Sequence, residues 1–278
     1  MTDVDLHCHS TISDGALEPG DVVGRAAAHG VHLLALTDHD ETGGLEAARD
    51  AARTAGIGFV DGVEISVTWR AVTVHVVGLR IDPTAPGLVA GLASVRSGRV
   101  GRAKRIGEEL SAAGIAGAYE GAMQYARNPG LIGRTHFARY LAEVGVVPDT
   151  KSAFKRYLVP GKPGYVRHEW IDLPTALGWI RTAGGQAVLA HPGRYGLSAG
   201  ALDDLLKDFR TAGGVALEVV TGSHSPDQYA MFAALADKYG FLASRGSDFH
   251  APGAGSADFG RLPPLAVGLK PVWHDWRI

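Results

Sequence analysis

The chain has 278 residues, 46% of them hydrophobic and 20% charged, a balance that builds a sizeable folded core and excludes disorder or low complexity. A formal net charge of -2 leaves no general basic field for long nucleic acid, so a long-duplex partner is not expected and affinity for phosphate must come from a local site. The lone Cys8 excludes an internal disulfide framework. No apolar run reaches the roughly 18 residues of a membrane span, and no leader pattern follows Met1, so a cytoplasmic enzyme with no membrane partner is expected.

Short apolar runs alternate with helix-like stretches from the start: Val4 to His9, Pro19 to Gly30, Val31 to His39, Gly43 to Gly56, Gly58 to Val67 and Val72 to Leu79. Asp82-Pro83 and Pro86-Gly87 then punctuate the chain, and a long helical pattern rich in Arg and Lys follows. Residues 83–163 are expected to form an inserted helical cap subdomain on a barrel domain made of residues 1–82 and 164–278. The alternation resumes with Leu173 to Ala183, Gln186 to His191, Ala199 to Gly213, Val215 to Thr221, Pro226 to Gly240 and Phe241 to Asp248. About seven strands result, enough to close a mainly parallel sheet into a TIM-like α/β barrel.

Alternate residues of a strand share a face, so His7 and His9 point together and Cys8 points away. The spacing recurs in Asp248-Phe249-His250. Single candidates stand in the other runs or just past them: His39 in Thr-Asp-His-Asp, Glu64 in Gly-Val-Glu-Ile-Ser, His75 within its run, His191 in Ala-His-Pro, and Asp14 in the loop after the first strand. The strand ends of a β/α barrel meet on one rim, which brings these residues together. They are too many for one ion; at about three protein ligands each, they suggest two or three divalent ions. Imidazole-rich sites suit Mn2+, the leading expectation, with Fe2+ or Zn2+ as alternatives. Three such ions against the carboxylates of Asp14, Glu64 and Asp248 leave a positive pocket matched to a phosphate ester. His29, His32 and His274 are read as ordinary surface or core residues.

The His-x-His start, Thr-Asp-His-Asp, Gly-Val-Glu, the histidine of Thr-Val-His-Val-Val-Gly, Ala-His-Pro and Ser-Asp-x-His together resemble the PHP (polymerase and histidinol phosphatase) family, in order along nearly the whole chain. The resemblance implies a distorted (β/α)7 TIM-like barrel, the PHP fold, with a trinuclear site. It implies a first ion on His7, His9, Glu64 and Asp248, a second on Glu64, His75 and His191, and a third on Asp14, His39 and His250, with Glu64 bridging.

Within the family, the insertion carrying Ile132-Gly133-Arg134-Thr135-His136 is similar to the subgroup acting on nucleoside 3',5'-bisphosphates, some members of which also trim short RNA from the 5' end. Thr135 stands where that pattern has proline. A small phosphorylated nucleotide or a short RNA 5' end is therefore the expected partner of a monomeric phosphoesterase. Arg134 and His136, then Arg102 and Lys104, are expected to hold the second phosphate, because guanidinium forks bind phosphate bidentately. Arg194 and His224 lie near the rim as substrate contacts and catalytic candidates, with His224 or a metal-bound water protonating the leaving 3'-oxygen. Trp69, close after Glu64, is a candidate base contact. The expected chemistry is in-line attack on phosphorus by a hydroxide bridging the ions. A histidinol-phosphate phosphatase, which would need an acidic pocket, and a non-catalytic nucleotide-binding PHP module are the alternatives.

Overall fold

The structure, a computed structural model, describes residues 3–253 and 257–277. Its strands are β1 (Asp3–Asp5), β2 (Val31–Leu36), β3 (Gly58–Trp69), β4 (Val72–Leu79), β5 (Ile171–Asp172), β6 (Gln186–Leu189), β7 (Ala216–Thr221) and β8 (Leu242–Gly246). They pair in the order β1-β2-β3-β4-β6-β7-β8, with the two-residue β5 added beside β3. Closure runs from β8 back to β1: Leu6 N–H donates to the Arg245 carbonyl at 3.0 Å, Asp248 N–H to His7 at 2.8 Å and His9 N–H to Phe249 at 2.9 Å. The sheet is thus the expected distorted barrel.

The distortion has a local cause. β4 pairs antiparallel with both β3 and β6, whereas the strand-helix alternation favoured parallel neighbours. Only Arg70 and Ala71 separate β3 from β4, and both have left-handed backbones, with φ of 43° and 69°. A two-residue turn of this kind closes a hairpin; a parallel pair would need a crossover of a dozen residues or more.

The helices are α1 (Pro19–Ala28), α2 (Leu45–Ala55), α3 (Pro86–Ala112), α4 (Ala118–Met123), α5 (Arg134–Glu143), α6 (Thr150–Ala153), α7 (Leu173–Thr182), α8 (Ala199–Thr211) and α9 (Pro226–Tyr239). Asp172, Ser198 and Ser225 cap α7, α8 and α9 by accepting a backbone N–H three residues on, which satisfies an otherwise orphaned donor. Strand alternation sorts the apolar residues. Leu33 and Ala35 join Leu6, Val77, Val188 and Ala216 in one cluster, while Leu34 and Leu36 join Ile65, Leu177, Phe209 and Phe232 in the layer packed by helices. The 27-residue α3 serves two cores: Leu88 and Leu92 pack with the barrel layer, and Ala103, Ile106 and Leu110 pack with Phe137, Leu141 and Leu158 in a separate cluster. No helix among the described residues is long and apolar enough to cross a membrane.

Two glycines test how tightly the closure is set. A Cβ on Gly246 would lie 2.3 Å from the His7 Cβ and 2.7 Å from the His7 nitrogen, so Gly246→Ala must push β8 from β1. It should destabilise by about 1–3 kcal/mol in urea unfolding. Gly24→Ala, exposed in α1 with nothing within 4 Å of the new methyl, should instead stabilise by roughly 0.5–1 kcal/mol.

Candidate metal centre

All nine residues expected at the rim converge there. Four overlapping groups form, each with one donor atom per residue and all atoms within 4.8 Å: His9, Asp14, His39 and His250; His7, His9 and Asp248; His7, Glu64 and His191; His39, Glu64 and His75. Glu64 stands in the middle of β3 and is wholly buried. Its Oε2 lies 3.3 Å from Nε2 of both His7 and His9 and 2.9 Å from His39 Nδ1. Its Oε1 lies 2.9 Å from His75 Nδ1 and 2.9 Å from His191 Nε2. Asp248 Oδ1 is 3.3 Å from His9 Nε2 and 3.6 Å from His7 Nε2, and Asp14 Oδ1 is 3.2 Å from His250 Nε2.

The donor set fits divalent cations. His7 Nδ1 donates to Glu218 at 2.7 Å, which leaves His7 Nε2 facing His9 Nε2 only 3.2 Å away. Glu64 Oε2, Asp14 Oδ1 and His39 Nδ1 are buried without a hydrogen-bond partner among the described residues. Converging imidazole nitrogens and carboxylate oxygens, several of them without a well-directed hydrogen bond, are the arrangement a cation satisfies. Burial raises the Glu64 carboxyl, but His39, His75, His7 and the His191 hydrogen bond outweigh it and hold the group well below the usual carboxylate range. Burial pushes His9 down to about 3 and His75 down to about 4, which keeps both imidazoles in the neutral form that binds metal.

Three acidic residues that sequence reasoning passed over hold this set in place. Asp38 accepts from Ser10 N–H at 2.8 Å, Ser10 Oγ at 2.6 Å and Ser13 Oγ at 2.5 Å, fixing the loop that carries Asp14. Asp40 accepts from Ser66 N–H at 2.8 Å and from Arg99, joining β3 to α3. Glu218 is the third. The two aspartates flank His39 in Thr-Asp-His-Asp, so their signal lay in the motif; Glu218 had none. From α5, Arg139 Nη2 donates to the Asp14 carbonyl at 2.6 Å.

Above the cluster lies a pocket of about 110 Å3 whose upper wall includes Arg99, Arg102, Arg134, Arg194, Phe154 and Trp170. Two of the four guanidiniums are paired: Arg99 with Asp40, and Arg194 with Asp248 Oδ2 at 2.7 Å. The other two have no carboxylate within 4 Å among the described residues. Arg102 donates to the Val166 carbonyl at 3.2 Å and Arg134 to the Leu158 carbonyl at 3.3 Å. Burial, then Arg134 and Arg99, push Arg102 down to about 9, and burial lowers Arg134 as well. A cleft of about 280 Å3 adjoins the pocket and shares Thr135, Phe154, Arg194, Asp248 and His250 with it. Arg99 was not singled out from the basic residues of the insertion, because its burial depends on Asp40.

Four expected substrate or catalytic residues lie elsewhere. Lys104 is exposed beside Gly107 and Glu108, two residues past Arg102 and so on the opposite side of α3. His136 is related to Arg134 in the same way: it is fully buried behind the pocket, and its Nδ1 accepts from Gly133 N–H at 3.0 Å. Trp69 sits five residues beyond Glu64, about 17 Å along the strand, where its Nε1 donates to Asp208 at 2.8 Å in a separate hollow. His224 donates from Nδ1 to the Val219 carbonyl at 3.2 Å and accepts at Nε2 from Gly193 N–H at 3.0 Å, so neither nitrogen is left to protonate a leaving group. Its ring stacks on Phe232, and it anchors the turn Pro192–Tyr195 that carries Arg194.

Comparison with known proteins agrees with this geometry. Residues 5–158 match the PHP domain. A 3',5'-nucleoside bisphosphate phosphatase of Chromobacterium violaceum is 54% identical over 99% of this chain and 96% of its own. The Escherichia coli 5'-3' exoribonuclease Rnm is 43% identical over 98% of this chain and 93% of its own. The solved structure of an amidohydrolase from Chromobacterium violaceum, with bound sulfate and no metal, is 53% identical, covers 98% of this chain and 95% of that chain, and has a TM-score of 0.95. With a matching domain, full-length relatives and a histidine-lined barrel mouth all in agreement, the chain belongs to the PHP domain family of phosphoric ester hydrolases.

Proposed function

We propose that this hydrolase removes the 3'-phosphate of nucleoside 3',5'-bisphosphates, with residues 83–163 acting as a cap over a barrel of residues 1–82 and 164–278. The carrying observation is the pair Arg102 and Arg134: two half-buried guanidiniums with no carboxylate partner among the described residues, beside a cluster suited to cations. Burying unpaired charge is costly, and these two face the space above the cluster, so an anion is the missing counterpart. A substrate with two phosphates supplies one to each region. The phosphatase identified in Chromobacterium violaceum and the sulfate bound by the similar amidohydrolase support this assignment.

In this proposal His7, His9, Asp14, His39, Glu64, His75, His191, Asp248 and His250 hold two or three divalent ions, Mn2+ foremost. Bound ions supply Lewis acidity toward the phosphoryl oxygens and lower the pKa of water held among them. Arg102 and Arg134 fork onto the second phosphate and orient the nucleotide. Arg194, steadied by Asp248, meets the negative charge that builds on the phosphoryl oxygens. With His224 engaged on both nitrogens, the leaving 3'-oxygen takes its proton from a water of the pocket.

The adjoining cleft favours a second substrate for the same chemistry. It opens past Phe154 and Arg194 and gives a path for a chain esterified to the scissile phosphate, as in trimming of a short RNA from its 5' end. Histidinol phosphate fits poorly, because its ammonium group would lie among guanidiniums.

Three outcomes follow. With Mn2+, phosphate release from adenosine 3',5'-bisphosphate should exceed release from histidinol phosphate by orders of magnitude; no turnover of the bisphosphate overturns the proposal. Arg134→Ala should raise KM for the bisphosphate roughly 10- to 100-fold, the weight of one charge-assisted hydrogen bond, and leave KM for p-nitrophenyl phosphate within a few fold. Equal effects on both substrates would remove Arg134 from the phosphate arm. Asp248→Asn should lose bound metal by elemental analysis together with activity, and full metal content in an active variant would refute the ligand assignment.

A further inference from the structure

Glu218, in β7, is 1% exposed and does not belong to the four groups of donor atoms. A carboxylate so placed needs partners, and it has two, each just past the end of a different strand. Oε1 accepts from Nδ1–H of His7 at 2.7 Å, and Oε2 accepts from the backbone N–H of His191 at 2.6 Å. Between them these bonds account for both oxygens. Resting on the metal assignment above, we propose that Glu218 is a positioning residue that presets His7 and His191 as ligands of the cluster.

At His7 the effect is on the choice of nitrogen. A carboxylate only accepts, so the proton belongs on Nδ1 and the lone pair on Nε2. Nε2 is the atom that lies 3.2 Å from His9 Nε2, 3.3 Å from Glu64 Oε2 and 3.6 Å from Asp248 Oδ1. Without Glu218 the ring could place its proton on the inner nitrogen and turn a ligand into a donor. The negative charge behind the ring also makes Nε2 a stronger base.

At His191 the effect is on the backbone. The residue has φ 26° and ψ 56°, a sparsely populated conformation for a side chain with a Cβ, and the next residue is Pro192. The bond from its N–H to Glu218 holds that conformation. It leaves Nε2 at 2.9 Å from Glu64 Oε1, with the His191 ring stacked 5.6 Å from that of His7. His7, Glu64 and His191 form one of the four donor groups, so a single carboxylate sets two of its three members.

Glu218→Gln tests this, because an amide offers one acceptor and one donor and retains only one of the two bonds. Titration with Mn2+, with folding checked by circular dichroism, should show one ion bound roughly 10- to 100-fold more weakly. The turnover number should fall, and KM for adenosine 3',5'-bisphosphate should stay within about twofold, since the arginine arm is untouched. A second measurement needs no variant: in Zn2+-loaded wild-type protein, nitrogen NMR should show His7 protonated at Nδ1 and metallated at Nε2. Unchanged Mn2+ binding by folded E218Q, or metallation of His7 at Nδ1, overturns the proposal while the metal assignment stands. Wild-type protein that takes up no divalent ion overturns both.

Discussion

Glu64 is a carboxylate with no solvent exposure, placed between five imidazoles at 2.9 to 3.3 Å. Burying such a charge is costly unless compensating charge surrounds it. Its compensation arrives from distant parts of the chain: His7 and His9 follow β1, His39 follows β2, His75 lies in β4 and His191 follows β6. With Glu64 on β3, they span five strands that are consecutive in the sheet, β1-β2-β3-β4-β6. Closure adds Asp248 and His250, which follow β8 and reach His7, His9 and Asp14 only because β8 returns to β1, so the closed barrel and the full cluster are one structure. The same reasoning explains the contact between Gly246 and the backbone of His7, where any side chain would hold the ends of the sheet apart.

A second balance of charge lies above the first. Arg99 crosses from α3 to Asp40, and Arg139 from α5 to the Asp14 carbonyl, so the basic insertion is fastened to the loops that carry the candidate ligands. Those two arginines are satisfied by the protein. Arg102 and Arg134 donate to single backbone carbonyls and have no carboxylate partner among the described residues, and burial with neighbouring guanidiniums lowers the pKa of each. On the proposed function an anion supplies the charge these two lack, which favours a substrate with a second negative group.

The nine rim residues were legible in the sequence because strand periodicity and short motifs speak directly about strand ends, where a barrel gathers its chemistry. The barrel was legible for the same reason. The orientation of β4 was missed although Arg70-Ala71 was too short a link for any crossover, so turn length carried information that alternation concealed. Lys104 and His136 were misplaced by treating neighbours in sequence as neighbours in space; two residues along a helix turn the side chain away. Trp69 failed for the analogous reason on a strand, by distance. His224 is different, since only the fold reveals that the Val219 carbonyl and the Gly193 amide consume its nitrogens. Glu218 was invisible because a residue that acts through hydrogen bonds across strands leaves no spacing to read.

These failures share a pattern. Residues that would touch a metal sit in the barrel mouth, where topology alone fixes their neighbours, whereas residues that orient them or select substrate depend on helix phase and on single hydrogen bonds. The relatives divide along the same line. A nucleoside bisphosphate phosphatase and 5'-3' exoribonucleases are each more than 40% identical to this chain over nearly its whole length. Cleavage of a phosphomonoester and of a phosphodiester differs at the phosphorus only by one substituent, so a common metal floor serves both. What must change is the room given to that substituent. In this chain the pocket and the adjoining cleft meet at Phe154 and Arg194, and on the proposed function that junction is where the room lies.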